Sequence, residues 1–429
     1  MILLAILLGL LHAVPASAEL ASLFGTGPVS QAMGGVAVVQ GQANPYQAYS
    51  APAALGYLRR VELSLGALYL DPHLKPFGTL VISSNGTLAE FRESGVLPGG
   101  GNTLGFALPL GKVRPLTLGG AFYIPFSSLV RVSGSPVDYP FYPLYTDLSR
   151  NFSFVVGAGY EFVDGWALGL NVRSTTKSKA SYLLRTDSTV NYSATAVEAR
   201  SESRLSYSIL YDNARRHKDG SPWTAGFMYR GHAGMETKLS ADVTAFVPVQ
   251  GVLVSLPAYT PAEWVLMGSL QPLEWWKLSG EVARVEWSKF TSPYGSGNIN
   301  SYVITNSPAN FHDITVFRFG MQQQFPVEGK LVRKISYREG YQFHPTPVPD
   351  QNSDSNFVDS TRHMFSAGLG LGFVSPWEEK DTLDLDLFFQ YNLLNKRSIA
   401  KNSSRNVGAP GYEAGGNILI FGGAASVKF

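Results

Sequence analysis

The last fifteen residues, Gly415–Phe429, read GGNILIFGGAASVKF. Successive side chains of a strand point to opposite faces. Leu419, Phe421, Gly423, Ala425, Val427 and Phe429 therefore share one face, and Ile418, Ile420, Gly422, Ala424, Ser426 and Lys428 the other. The first face is an apolar band that ends in an aromatic carboxy-terminus. In lipid, a sheet survives only when no backbone group is left unpaired, which requires the last strand to pair with the first. The stretch reads as the closing strand of a transmembrane barrel.

The same alternation recurs upstream. Phe152, Phe154, Val156, Ala158, Tyr160 and Phe162 alternate with Asn151, Ser153, Val155, Gly157, Gly159 and Glu161, and Asp164-Gly165 supplies a tight turn into Trp166, Leu168, Leu170 and Val172. Leu383, Leu385, Leu387, Phe389 and Tyr391 alternate with Thr382, Asp384, Asp386, Phe388 and Gln390. A charge facing lipid costs ~2–4 kcal/mol near the midplane, so the two carboxylates face a lumen. Further strands are expected near 60–70, 78–91, 102–110, 116–126, 223–230, 238–246, 262–272, 276–287, 314–325, 331–343 and 363–373, with a pair within 180–211. The expected fold is all-β, an antiparallel transmembrane barrel of about 14 strands. Segments 131–150, 211–222, 288–310, 344–362 and 395–412 read as long loops on one side, and turns such as Asp164-Gly165 as the other side. The phase switch between Val282 and Ala283 suggests a β-bulge. The uncharged run 243–262 contains Pro248, Pro257 and Pro261, which argues against a spanning helix and for an apolar loop followed by a strand.

Composition agrees with this architecture. Of 429 residues only 15% are charged, against about 25% in ordinary soluble domains, yet mean hydropathy is +0.02, too low for a helical membrane protein. A net charge of +2 argues against a nucleic-acid partner. The absence of Cys excludes disulfides, thiolate nucleophiles and Cys-bound zinc. Asp71-Pro72-His73, His312-Asp313 and Ser360 with His363 have no nucleophile-elbow or metal-ligand spacing, so no catalytic residue, metal or cofactor is expected.

Residues 1–18 read as a secretory signal: Ile2–Leu11 is apolar and Ala16-Ser17-Ala18 offers a small-residue cleavage site. An uncleaved anchor is the alternative, although so short an apolar run falls below the length of a spanning helix. Residues 19–58 are rich in Gly, Ala and Gln and lack any amphipathic period, which suits either a linker or a segment packed inside the barrel at its periplasmic end. The barrel itself is assigned to 59–429.

Three stretches together resemble the FadL family of outer-membrane transporters of long-chain fatty acids and other hydrophobic compounds. AMGGVAV (32–38) followed by YSAPAAL (49–55) looks like the family's amino-terminal hatch. Leu256-Pro257, a strand pair and Trp287-Ser288-Lys289-Phe290 follow in the family's order. Arg333, Tyr337, the loop 345–349, Asp359 and Arg362 precede a Gly-rich strand. The terminal Phe429 resembles the assembly signal of such barrels, read by the barrel-assembly machinery. The resemblance implies bacterial outer-membrane localisation, a monomer surrounded by outer-membrane lipid, and a hydrophobic ligand (fatty acid or hydrocarbon) released sideways past a gating hatch. Gly34, Gly35, Pro52 and Ala53 would belong to the hatch. Val254 and Leu256, with Phe141 and Tyr142, would line an outer groove, unless such aromatics only form interfacial girdles. Lys177 and Lys179, or alternatively Arg333 and Arg338, would face a ligand carboxylate from the lumen. Where the family carries Asn-Pro-Ala, this chain has Ala51-Pro52-Ala53. Similar hatches occur in barrels that serve secretion systems, so an accessory or structural barrel is the alternative function.

A closed barrel without disulfides resists detergent until heated. The detergent-extracted protein is expected to change gel mobility on boiling, and deletion of Phe429 to lower the folded yield in the outer membrane. Unchanged mobility on boiling, with a helical circular-dichroism spectrum, would refute the barrel.

Overall fold

Alternating strands that must leave no edge in lipid are joined, in the computed structural model, into one closed antiparallel ring. The structure describes residues 20–37, 43–82, 86–111, 116–126, 140–145, 152–175, 178–185, 192–201, 203–215, 222–242, 250–290, 296–299, 302–304, 309–329, 331–351, 356–374, 382–401 and 407–429. The expected signal segment and Lys177 lie outside the described residues.

Fourteen strands form the wall. They are β1 (Glu62–Leu74), β2 (Gly99–Leu110), β3 (Leu116–Pro125), β4 (Ser153–Val163), β5 (Trp166–Thr175), β6 (Arg204–Asp212) and β7 (Trp223–Arg230). The second half comprises β8 (Glu263–Leu273), β9 (Trp276–Val285), β10 (Ile314–Pro326), β11 (Val332–His344), β12 (Arg362–Val374), β13 (Thr382–Ala400) and β14 (Gly411–Lys428). Each pairs with its neighbours in sequence, and β14 pairs with β1 from Glu62↔Lys428 to Leu74↔Gly416. The Phe429 N–H donates to the Val61 carbonyl at 3.0 Å, carrying the closing ladder to the last residue.

The side-chain phases fall as the alternation predicts. Leu65, Leu168, Leu266, Phe317, Leu387 and Phe421 project outward and are exposed, whereas Ile418 and Ile420 are fully buried within. Aromatic rings gather near the two rims, as in Trp166–Tyr211–Trp223 (4.8 and 5.3 Å between centroids) and Tyr229–Trp264 (4.4 Å). Such girdles mark the two lipid–water interfaces.

Several strand assignments differ from the sequence reading. The stretch 78–91 is not wall but a small hairpin of Gly78–Val81 with Leu88–Phe91. Ala233–Asp242 and Gln250–Thr260 leave the wall as a hairpin, and with Ser178–Arg185, Tyr192–Ser201, Ser296–Ile299 and Tyr302–Ile304 they build a separate six-stranded sheet. Within the expected apolar loop of 243–262, the described residues Gln250–Thr260 are strand, and 243–249 lie outside the described residues. Alternation marks a strand but not the sheet it joins. Residues 211–222 join β6 to β7 at the short-turn end, because the Asp212 N–H donates to the Gly165 carbonyl at 2.8 Å. Much of 395–412 is wall, since β13 and β14 run past the expected boundaries. No bulge interrupts β9, whose register with β10 is unbroken from Trp276↔Gln323 to Val285↔Ile314. Leu278 and Val282 lie on its outward phase, while Ala283, Val285 and Trp287 pack inside, so both phases of one regular strand carry apolar residues.

Among the described residues, the N-terminal segment has only short helical turns: α1 (Leu20–Phe24), α2 (Pro28–Ala32), α3 (Gln47–Ser50) and a 3-10 turn at Pro52–Tyr57. Turns this short leave most of their backbone groups unpaired. Lumen-facing side chains supply the missing partners. Gln390 Nε2 donates to the carbonyls of Phe24 (2.7 Å) and Gln31 (2.9 Å), and Ser366 Oγ donates to Ala32 (3.0 Å) while accepting from Gly34 N–H (2.9 Å). Asn171 Nδ2 donates to the Ala48 carbonyl (2.7 Å), and Ala53 N–H donates to Ser208 Oγ (2.8 Å).

Two glycine pairs in the wall let the backbones meet. Gly320 and Gly340 are opposed across β10 and β11. A Cβ on Gly320 would sit 2.5 Å from the Met33 carbonyl, and one on Gly340 would collide with Gly34 N. Gly159 and Gly169, opposed across β4 and β5, receive Pro52 and Ala53 in the same way. Gly34 is as tightly held, since its own Cβ would lie 2.6 Å from the Phe319 carbonyl. Gly35 differs: its φ of 79° favours glycine, but the nearest atom to a Cβ lies 3.6 Å away, so close packing is not what it provides.

Gly340→Val is expected to keep the boiling-dependent gel shift and to lose the seat of residues 20–37. Limited proteolysis of the purified barrel should then trim the variant within this segment while wild type resists. Equal resistance would show that the close approach is dispensable.

Candidate functional site

Between the N-terminal segment and β1–β5 lies a cavity of about 60 Å³. Its walls are chiefly apolar, from Leu68, Ala121, Tyr123 and Val155 on the strands and Leu20 and Tyr46 on the segment. Alternation places the strand residues inward, and the helical turns of the segment bring Leu20 and Tyr46 opposite them. Arg173 also lines the cavity and donates to Tyr49 Oη at 3.4 Å. Tyr46 Oη shares a hydrogen bond with Thr103 Oγ1 at 3.2 Å, and burial pushes its ionisation upward, keeping the phenol neutral.

Beside this cavity lie the long-loop ends of β3 and β4. The β3–β4 ladder stops at Tyr123↔Ser153, whereas β3 stays paired with β2 to Pro125↔Gly101. Phe122 and Phe154, on the outward phase and 6.0 Å apart between centroids, also line the cavity.

Buried ion pairs bracket the segment. Arg230 pairs with Glu263, Arg318 with Glu281, and Arg338 with Asp386 (2.6 Å). These charges are withdrawn from water, so each needs its partner and further hydrogen bonds. The segment provides some of them. Ala37 N–H donates to Glu281 Oε2 at 2.8 Å, and Arg318 donates to the Ser22 carbonyl at 3.3 Å. The Arg230 guanidinium lies 4.6 Å from the Tyr49 ring centroid. Arg362, fully buried, donates to the Leu23 carbonyl at 2.8 Å and lies over Phe24 at 4.7 Å.

At the long-loop end, aromatic side chains pack into a cap over the lumen. Trp287, Phe290 and Phe311 contact one another, and Phe311 reaches Phe357 at 5.4 Å. Phe357 meets Phe141 at 5.7 Å, while Tyr142 stacks on Phe77 at 5.5 Å. Beneath the cap lies Asp359, whose carboxyl is pushed up to about 6 by burial, against the pull of Arg362 and Arg397.

The expected site residues separate into distinct places. Gly34, Pro52 and Ala53 meet the wall, whereas Gly35 has room around it. Arg338 faces the lumen but is held by Asp386 and by Gln322 Oε1 (2.7 Å). Arg333 is exposed on the outward phase of β11 and faces no lumen ligand. Lys179 stands opposite Glu198 in the separate sheet rather than on a barrel strand. Val254 and Leu256 belong to that sheet as well. Tyr142 is fully buried in the cap and Phe141 packs at its edge, so neither lines an open groove. Trp287 joins the cap, and Ser288 N–H donates to Asp313 Oδ1 at 2.9 Å. Asp359 and Arg362 are brought together with the segment, and Phe429 ends the closing strand. Sequence reading missed the pairs at Glu263, Glu281, Arg230 and Arg318. Their signal is a charged residue on the inward phase of an otherwise apolar strand.

The model of the outer membrane protein transport proteins (OMPP1/FadL/TodX) matches residues 148–429, more than half of the chain. No curated protein sequence matches. Among solved structures, the chain is similar to a Pseudomonas aeruginosa FadL homologue, at TM-score 0.59 and 13% identity over 97% of this chain and 98% of that one. It is also similar to the P. putida toluene transporter TodX (TM-score 0.53, 16% identity, 95% and 99% covered) and to the CymD monoaromatic hydrocarbon channel (0.52, 15%, 95% and 98%). At these identities the structures bear on the fold, and the family match carries the assignment: the chain belongs to the OMPP1/FadL/TodX family of outer membrane transport proteins, barrels of the bacterial outer membrane that are transporters rather than enzymes.

Proposed function

We propose that this protein takes up hydrophobic small molecules, fatty acids or aromatic hydrocarbons, through the cavity beside its N-terminal segment, and releases them sideways between β3 and β4. The observation that carries this reading is the apolar cavity at the point where the β3–β4 ladder stops. An apolar molecule crossing a water-filled pore would expose surface at a cost of ~25 cal/mol per Å². A lateral route returns it to lipid without that exposure. Arg173 and the phenols at the cavity wall tolerate a polar end on an otherwise apolar cargo.

In this reading, residues 20–58 act as the plug. Their seat combines buried apolar residues such as Leu23, Phe24 and Leu55 with hydrogen bonds from Gln390, Ser366 and Asn171, which a shift of the segment would exchange for others. The Ala51-Pro52-Ala53 sequence replaces the family's Asn with a residue that has no side-chain amide, and here the turn is held by Ala53 N–H on Ser208.

Removal of residues 19–50 is expected to leave the barrel folded, to raise its ion conductance in planar bilayers and to impair uptake of a hydrophobic substrate. Glu281→Ala leaves Arg318 buried and unpaired, a loss of ~3–5 kcal/mol. It should lower the temperature of the gel-mobility shift and raise conductance in the same direction. Native mass spectrometry after gentle extraction should show a retained lipid-like ligand. A truncated barrel that conducts no more than the intact one would refute the plug, and toluene or oleate uptake equal to that of cells lacking the protein would refute the transport reading.

A further inference from the structure

A second chamber, of about 180 Å³, lies on the short-turn side of the N-terminal segment, walled by β1 and β9–β14. Its character is opposite to that of the apolar cavity. The strands deliver four cations to it, Lys277, Lys334, Arg338 and Lys428, and three carboxylates, Glu62, Asp384 and Asp386.

Each carboxylate is already engaged. Asp386 holds Arg338 at 2.6 Å. Asp384 lies 3.1 Å from Lys334 and 3.6 Å from Lys428, and Glu62 lies 3.8 Å from Lys428. Lys277 is the exception. It is 8% exposed and lines the chamber, yet among the described residues no carboxylate lies within ion-pair distance of it. A buried ammonium without a counter-ion is costly, and a mobile anion is the simplest way to offset that cost.

We propose that this chamber is an anion site centred on Lys277, and that its ligand is a carboxylate. The four cations outnumber the three acids, and the excess matches a singly charged carboxylate. Lys334 and Lys428 keep about a third of their side chains open to solvent, so the anion enters from the short-turn side without passing the segment. The carboxylate is that of a free small acid or of an amphiphile whose tail lies against Pro28 and Val29 of the segment. The site does not depend on the transport route, because its residues are absent from the apolar cavity except Tyr46.

Isothermal titration of the full-length barrel in neutral detergent tests this, with octanoate, acetate and 1-octanol as probes. Wild type should bind a carboxylate, Lys277→Gln should bind it about tenfold more weakly or worse, and Lys277→Arg should restore it. Binding of acetate as well as octanoate assigns a free small acid, and binding of octanoate alone assigns the amphiphile. 1-Octanol binding should not respond to Lys277, which separates this site from the apolar cavity. Lys277→Met serves if the Gln variant does not show the boiling-dependent gel shift. Absence of carboxylate binding to wild type, or equal binding by the uncharged variant, would overturn the proposal and leave the transport reading untouched.

Discussion

The rest of the molecule depends on one ladder, the pairing of β14 with β1. It runs the full length of β1, along Gly416–Lys428 of β14, and ends with the Phe429 N–H on the Val61 carbonyl. Without it, two strand edges would present unpaired backbone groups to hydrocarbon, each at a cost of several kcal/mol. With it, the outer surface can carry a broad apolar band, and charges such as Glu281, Arg318, Arg338 and Asp386 are directed inward. Closure therefore creates the polar lumen, and the lumen must then satisfy its own charges away from bulk water.

The N-terminal segment and the lumen solve each other's problem. The segment has turns too short to pair their own backbone, and the wall offers Gln390, Ser366, Asn171 and Ser208 as partners. The wall in turn holds arginines whose charge needs more than one carboxylate, and the segment returns carbonyls at Ser22 and Leu23 and the rings of Phe24 and Tyr49. Glycine pairs at Gly320–Gly340 and Gly159–Gly169 bring the two backbones close enough for this exchange. The contact thus adds specific hydrogen bonds and charge contacts to the burial of Leu23, Phe24 and Leu55.

The interior is divided by chemistry. On one side of the segment lies an apolar cavity against β1–β5, and on the short-turn side lies a chamber of paired charges in which, among the described residues, one ammonium has no carboxylate. The aromatic cap over the long-loop end adds a third environment, sealed by Trp287, Phe311 and Phe357. The same strands serve all three because each contributes a different inward residue at each height. In β9, Lys277 lines the charged chamber, Glu281 holds Arg318 and the segment, and Val285 is buried at the long-loop end.

The sequence alone determined the fold class, because the strand period is a local property and lipid penalises any charge placed on the wrong phase. Phe421 outside and Ile420 inside follow from counting along one strand, as do the inward carboxylates Asp384 and Asp386. The resemblance to a transporter family was legible in the same way, from short stretches read in order. Partnership was not legible. Nothing along the chain says that 233–242 pairs with 192–201 instead of entering the wall, that Arg338 is taken by Asp386, or that Tyr142 is buried in a cap rather than lining a groove. Nor does the sequence show that Lys277 stands without a carboxylate. Such facts depend on residues far apart in the chain that arrive at one height of the barrel, and only the register of the closed sheet sets which of them meet.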